Sequence, residues 1–141
     1  MVGGPLIVVT VIVHVLGLGV TRAIFRPKAG IGHGGRVLRH PTLHFMVVMS
    51  LTVSLVTLLH LLQAWIWSTT LVFVGAMNDP RHAMLYALSA MTTYGHAAVY
   101  LDVRWQMLGA IVALDGVILT GLTTAFLYAV IRQEWENRQH V

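Results

Sequence analysis

The stretch MLYALSAMTTYGHAAVY, residues 84–100, decides how this chain is organised. It joins a short amphipathic segment directly to Thr92, Thr93, Tyr94 and Gly95, and long apolar runs flank it on both sides. Residues 81–91 make about three helical turns, about 17 Å long, too short to cross a hydrocarbon core of about 30 Å. A helix of that length that enters a bilayer has to come back. The turn after it then holds non-helical peptide groups at membrane depth, which are tolerated only where protein buries them or where they line a water-filled path.

The rest of the chain fits a membrane setting. Its 141 residues are 57% hydrophobic and 10% charged, and the charges cluster between apolar runs, which excludes an ordinary soluble domain. There is no cysteine, so disulfide frameworks, thiolate metal sites and cysteine nucleophiles are all absent. Residues 1–25 read as a first transmembrane helix, interrupted chiefly by Thr10 and His14. No Lys or Arg precedes that run, so we expect a retained helix rather than a cleaved leader.

Residues 26–41 contain Pro27, Gly30, Gly32, Gly34 and Gly35 and read as a basic loop. Five of the nine Lys/Arg residues, Arg22, Arg26, Lys28, Arg36 and Arg39, lie between the first two apolar runs. The positive-inside rule puts them in the cytoplasm, against anionic lipid headgroups, with the N-terminus outside, and gives no reason to invoke nucleic acid. Residues 43–74 suit one tilted helix ending near Trp65 and Trp67, which we expect at the outer interface. Asp79 and Pro80 supply a helix start signal, residues 105–131 read as the last span, and residues 132–141 as a cytoplasmic tail. Three spans with one re-entrant segment put Arg81 and Arg104 outside and Arg132 and Arg138 inside. A four-span bundle reverses the tail and brings Arg104 in, and the charge bias and the 92–95 turn favour re-entry.

From residue 83 to 131 the chain resembles the pore module of tetrameric potassium channels, an ion-channel family in which outer helix, pore helix, filter loop and inner helix follow in that order. The resemblance rests on Thr92-Thr93-x-Gly95 after a short helix, on Trp105 where the last helix starts, and on Gly116 followed five residues later by Gly121, Leu122, Thr123, Thr124 and Ala125. It is similar to small bacterial members with one extra N-terminal helix, and covers about residues 43–131. The fold it implies is an all-α membrane protein, three transmembrane helices plus a re-entrant pore helix (81–91) and filter loop (92–98), assembled as a homotetramer in a bacterial plasma membrane. The pore module then occupies residues 42–131, and ion transport needs no cofactor beyond the permeant cation, K+ by resemblance.

The filter departs from the family. Where the usual pattern is Thr-Val-Gly-Tyr-Gly followed by an acid, this chain has Thr93, Tyr94, Gly95, His96, Ala97 and Ala98, and Ser89 stands where a supporting pore-helix acid is common. Successive carbonyls aimed at one axis need positive φ, which glycine adopts freely and an L-residue adopts at about 1–2 kcal/mol. The degenerate outer half, residues 96–98, is therefore expected not to hold the usual carbonyl ladder, while residues 92–95 keep the inner sites. Weak selectivity among monovalent cations follows.

Several residues carry two readings each. A fourfold ring of His96 titrates in mild acid and repels cations, binds a divalent metal, or only hydrogen-bonds toward Tyr86 to hold shape. Asp115 either attracts cations below the filter or packs behind the pore helix. Thr120, Thr123 and Thr124 line a cavity or pack helices, and Gly116 is a gating hinge or a point of close approach. His14 and His60 on different helices raise a haem or metal-binding membrane protein as an alternative, against which His60 with Gln63 makes interhelical hydrogen bonds. No nucleophile and base, phosphate loop or paired carboxylate points to an enzyme. The expectation is a cation channel, with a non-conducting channel-like scaffold or accessory subunit as the other alternative.

Overall fold

The structure, a computed structural model, describes residues 3–25, 41–95 and 99–139. Among them the secondary structure is entirely helical: α1 (Gly3–Phe25), α2 (Pro41–Phe73), α3 (Pro80–Met91), a single 3-10 turn (Val103–Trp105) and α4 (Gln106–Gln139). Three stretches are long and apolar enough to cross a membrane, Gly3–Ile24, Phe45–Phe73 and Val103–Gln133. Their outward faces carry exposed Val8, Leu16, Leu51, Leu58 and Leu114, as helices that are hydrophobic all round require. The basic loop expected at residues 26–41 falls, up to residue 40, outside the described residues.

Interhelical contacts give the direction of each element. A methyl group at Gly3 would meet Leu108 and Ile111, Thr10 reaches Asp115 and His14 reaches Thr123, so α1 and α4 run parallel. Trp67 reaches Asp115 and His60 reaches Thr123, so α2 runs against both. The start of α1, the end of α2 and the start of α4 therefore share one end of the bundle, and the C-terminus lies at the other.

The connection from α2 to α3 is compact. Gly75 has φ 72°, its N–H donates to the Val72 carbonyl at 3.0 Å, and the Ala76 N–H donates to the Leu71 carbonyl at 2.9 Å. This pair of bonds closes α2 with a left-handed glycine, which has no Cβ to clash there. Asp79 then caps α3, accepting from the Arg81 N–H at 2.9 Å, with Pro80 at the first helical position. Ala83, Ala87 and Ala90 are buried, and their small side chains let α3 press into the core beside Trp67, Leu71, Val112 and Leu119.

Two sequence expectations are corrected. Helix α2 does not end near the tryptophans but continues to Phe73. Trp67 is not an interfacial residue: it is fully buried and donates to Asp115, while Trp65 is 58% exposed. A ring whose N–H finds a carboxylate inside the bundle is satisfied there, and its large apolar surface favours the core. Helix α4 likewise runs past residue 131 to Gln139, with Arg132 and Glu136 paired at 2.8 Å across one turn.

Candidate functional site

The C-terminal end of α3 comes to rest halfway along α4. A Cβ at Gly109 would collide with the Tyr86 hydroxyl, and one at Gly116 would collide with the backbone of Met91. The order of these contacts makes α3 and α4 parallel. Gly116 lies ten residues into α4, about 15 Å from its start, which is half of a core about 30 Å thick. After Met91 the chain has to climb back over residues 92–102 before α4 begins. At Gly116, then, the missing side chain is what lets two backbones meet.

The turn at that depth is open on one side. Thr92, Thr93, Tyr94 and Gly95 are all exposed, Tyr94 by 83%. Thr92 continues the helix by donating its N–H to the Leu88 carbonyl at 3.0 Å, and its hydroxyl donates to the same oxygen at 2.7 Å. Thr93 then turns left-handed at φ 58°, a conformation that is an outlier for a β-branched residue, and Gly95 follows at φ 88°. The Gly95 N–H reaches back to the Ser89 carbonyl at 3.4 Å. His96, Ala97 and Ala98 lie outside the described residues.

Behind this turn is a polar core. Asp115 is fully buried, with the Trp67 indole N–H donating to one carboxylate oxygen at 2.6 Å and the Thr10 hydroxyl 3.0 and 2.9 Å from the two oxygens. It faces α1 and α2 and presents no surface outward. Thr10 also accepts, through its carbonyl, from the Gln63 amide at 3.2 Å. Gln63 meets His14 Nδ1 with its nitrogen at 2.9 Å and its oxygen at 3.2 Å. The Thr123 hydroxyl lies 2.9 Å from His14 Nε2 and 3.0 Å from His60 Nε2.

Asp115 and Thr123 thus belong to one buried network, whereas Thr120 and Thr124 are exposed and bond their hydroxyls back to Gly116 and Thr120. His60 and Gln63 both make interhelical bonds, to α4 and α1. The imidazoles of His14 and His60 meet edge to face, 5.1 Å apart at 60°, with both Nε2 atoms on one hydroxyl and no slot for a haem plane between them. Trp67 and Thr10 are the members that sequence reasoning missed. Thr10 was legible only as a polar break in an apolar run, and Trp67 as an aromatic near a helix end. Among the described residues no three His, Cys, Asp or Glu side chains gather as a metal-ligand group. No family model, curated protein or solved structure matches the chain.

Proposed function

We propose that this chain is one subunit of a homotetrameric cation channel whose ion path is formed by residues 92–97 of four copies. The observation that carries the reading is α3 ending at half the depth of α4 with exposed, non-helical backbone beyond it. Peptide groups at that depth need protein or water beside them, and one chain leaves Thr92, Thr93, Tyr94 and Gly95 uncovered. A single loop cannot enclose a path, and a closed ring of copies covers it.

In such a ring the C-terminal ends of four α3 helices aim their partial negative charge at a central cavity and favour cations there. The hydroxyl and carbonyl oxygens of Thr93 and the carbonyls of Tyr94 and Gly95 replace water around a dehydrating ion. Conduction is passive, K+ is the expected ion, and Ala97 in place of a second glycine weakens selectivity. The chain sits in a bacterial plasma membrane with the N-terminus outside and residues 26–41 on the anionic inner leaflet.

Purified protein in liposomes, with protein-free liposomes as the blank, tests this. We expect cation flux with K+ favoured over Na+ by less than a strongly selective filter achieves. Absence of flux for both ions overturns the channel reading in favour of a non-conducting scaffold or accessory subunit.

A further inference from the structure

The buried network has a property that the ion path does not use: its histidines are solvated for proton exchange. His14 Nδ1 faces the Gln63 amide side-on, with a donor nitrogen at 2.9 Å and an acceptor oxygen at 3.2 Å. It has a partner whether it carries a proton or a lone pair. On the other edge of the ring, His14 Nε2 and the Nε2 of His60 share the Thr123 hydroxyl, which can both donate and accept. Gaining or losing one proton therefore rearranges hydrogen positions without leaving a buried nitrogen unpartnered. Most buried histidines lack such two-way partners on both edges, because a neutral ring needs one donor and one acceptor only.

We propose that His14 and His60, with Thr123 and Gln63, form an intramembrane proton-binding site that holds one proton between the two rings. Two imidazolium rings 5.1 Å apart repel each other, so the pair takes one proton and not two. The counter-charge is Asp115, the sole acidic side chain buried among the described residues. It is joined to the pair through Thr10, whose hydroxyl faces the carboxylate and whose carbonyl accepts from Gln63. The groups facing the pair are thus Gln63 from α2, and Thr123 and, one link further, Asp115 from α4, while α3 contributes Tyr86 against Gly109 and Ser89. His60 is only half-buried, which gives the site an edge toward the surface of the bundle.

The site also has a route to the ion path. Asp115 adjoins Gly116, on which the backbone of Met91 rests, so a charge gained at the imidazoles bears on the residue that seats the end of α3. This consequence, proton regulation of flux, rests on the channel reading; proton binding itself does not.

The test is 15N NMR of histidine-labelled full-length protein in bilayers between pH 8 and pH 5, with His14→Gln and His60→Gln used to assign the two rings. We expect one imidazolium to appear across the pair while the other ring stays neutral, and removal of either ring to shift the titration of the one that remains. Both rings becoming imidazolium together, both staying neutral throughout, or either ring titrating unchanged without its neighbour overturns the proposal. H60Q, at the half-buried position, keeps the test decisive if H14Q does not fold. Flux measured in parallel is expected to depend on pH in the native chain and to lose that dependence in H60Q. No flux at any pH with the NMR result intact overturns the channel reading and leaves the proton site standing.

Discussion

Gly116 and Gly121 are separated by five residues on one helix and have opposite surroundings. A methyl group at Gly116 meets the main chain of Met91, which cannot swing aside as a flexible side chain does, whereas nothing lies within 4 Å of the same atom at Gly121. Gly116→Ala is expected to lower stability by about 1–3 kcal/mol through overpacking. Gly121→Ala is expected to leave the stability of the subunit unchanged or raised by up to about 1 kcal/mol through helix propensity. Thermal unfolding of the two variants in detergent checks the contrast, and an equal effect of both would remove the close approach of α3 to α4. Trp67→Phe keeps most of the apolar surface but takes the indole N–H from Asp115. The expected loss is about 1.5–3 kcal/mol, the range for a hydrogen bond to a charged group, read in the same assay.

At the scale of elements, α3 is the piece with the least length to support it, 12 residues against 23 or more in each long helix. Its stability rests on its cap and on the alanines it presses into the core. Asp79→Ala removes the side-chain acceptor for the Arg81 N–H and should cost about 1 kcal/mol. The exposed Asp79–His82 pair, at 3.0 Å, adds little to that figure. Proteolysis or hydrogen exchange localised to α3 is the measurement, and a variant as protected as the native chain would mean that packing alone holds this helix. The start of α3 was legible because Asp79 and Pro80 act within one turn. The end of α2 was not, because the Schellman closure at Gly75 lies eight residues beyond the tryptophans that suggested a boundary.

For the whole molecule, three parallel and antiparallel spans put the two chain ends on opposite sides of the bundle. A chain without cysteine allows a direct check of this arrangement. Single cysteines replacing exposed Gly4 and Gln133 should be labelled by an impermeant reagent from opposite faces of sealed vesicles, and labelling from the same face would demand an even number of crossings. The channel reading adds a mass: light scattering of the detergent complex, corrected for bound detergent, is expected to give four chains of 15.5 kDa. A monomer or dimer would leave residues 92–95 uncovered and end that reading.

The sequence by itself determined the helical class and the existence of three spans, because apolar runs of about 20 residues or more and the scarcity of charge are one-dimensional properties of a chain in a bilayer. It also marked Asp115, His14 and His60 as unusual, since ionisable groups within such runs are expensive. What they do to one another was decided only by tertiary structure. Thr10, Trp67 and Asp115 lie 57 and 48 residues apart along the chain, and no local period ties them together. Their meeting depends on the packing of α1 and α2 against α4, on Gly3 and Gly17 admitting close neighbours, and on Gly116 receiving the end of α3. Hydrophobic runs specify which segments cross. Small residues at particular depths specify how closely helices approach, and that approach brings scattered polar groups within hydrogen-bonding distance.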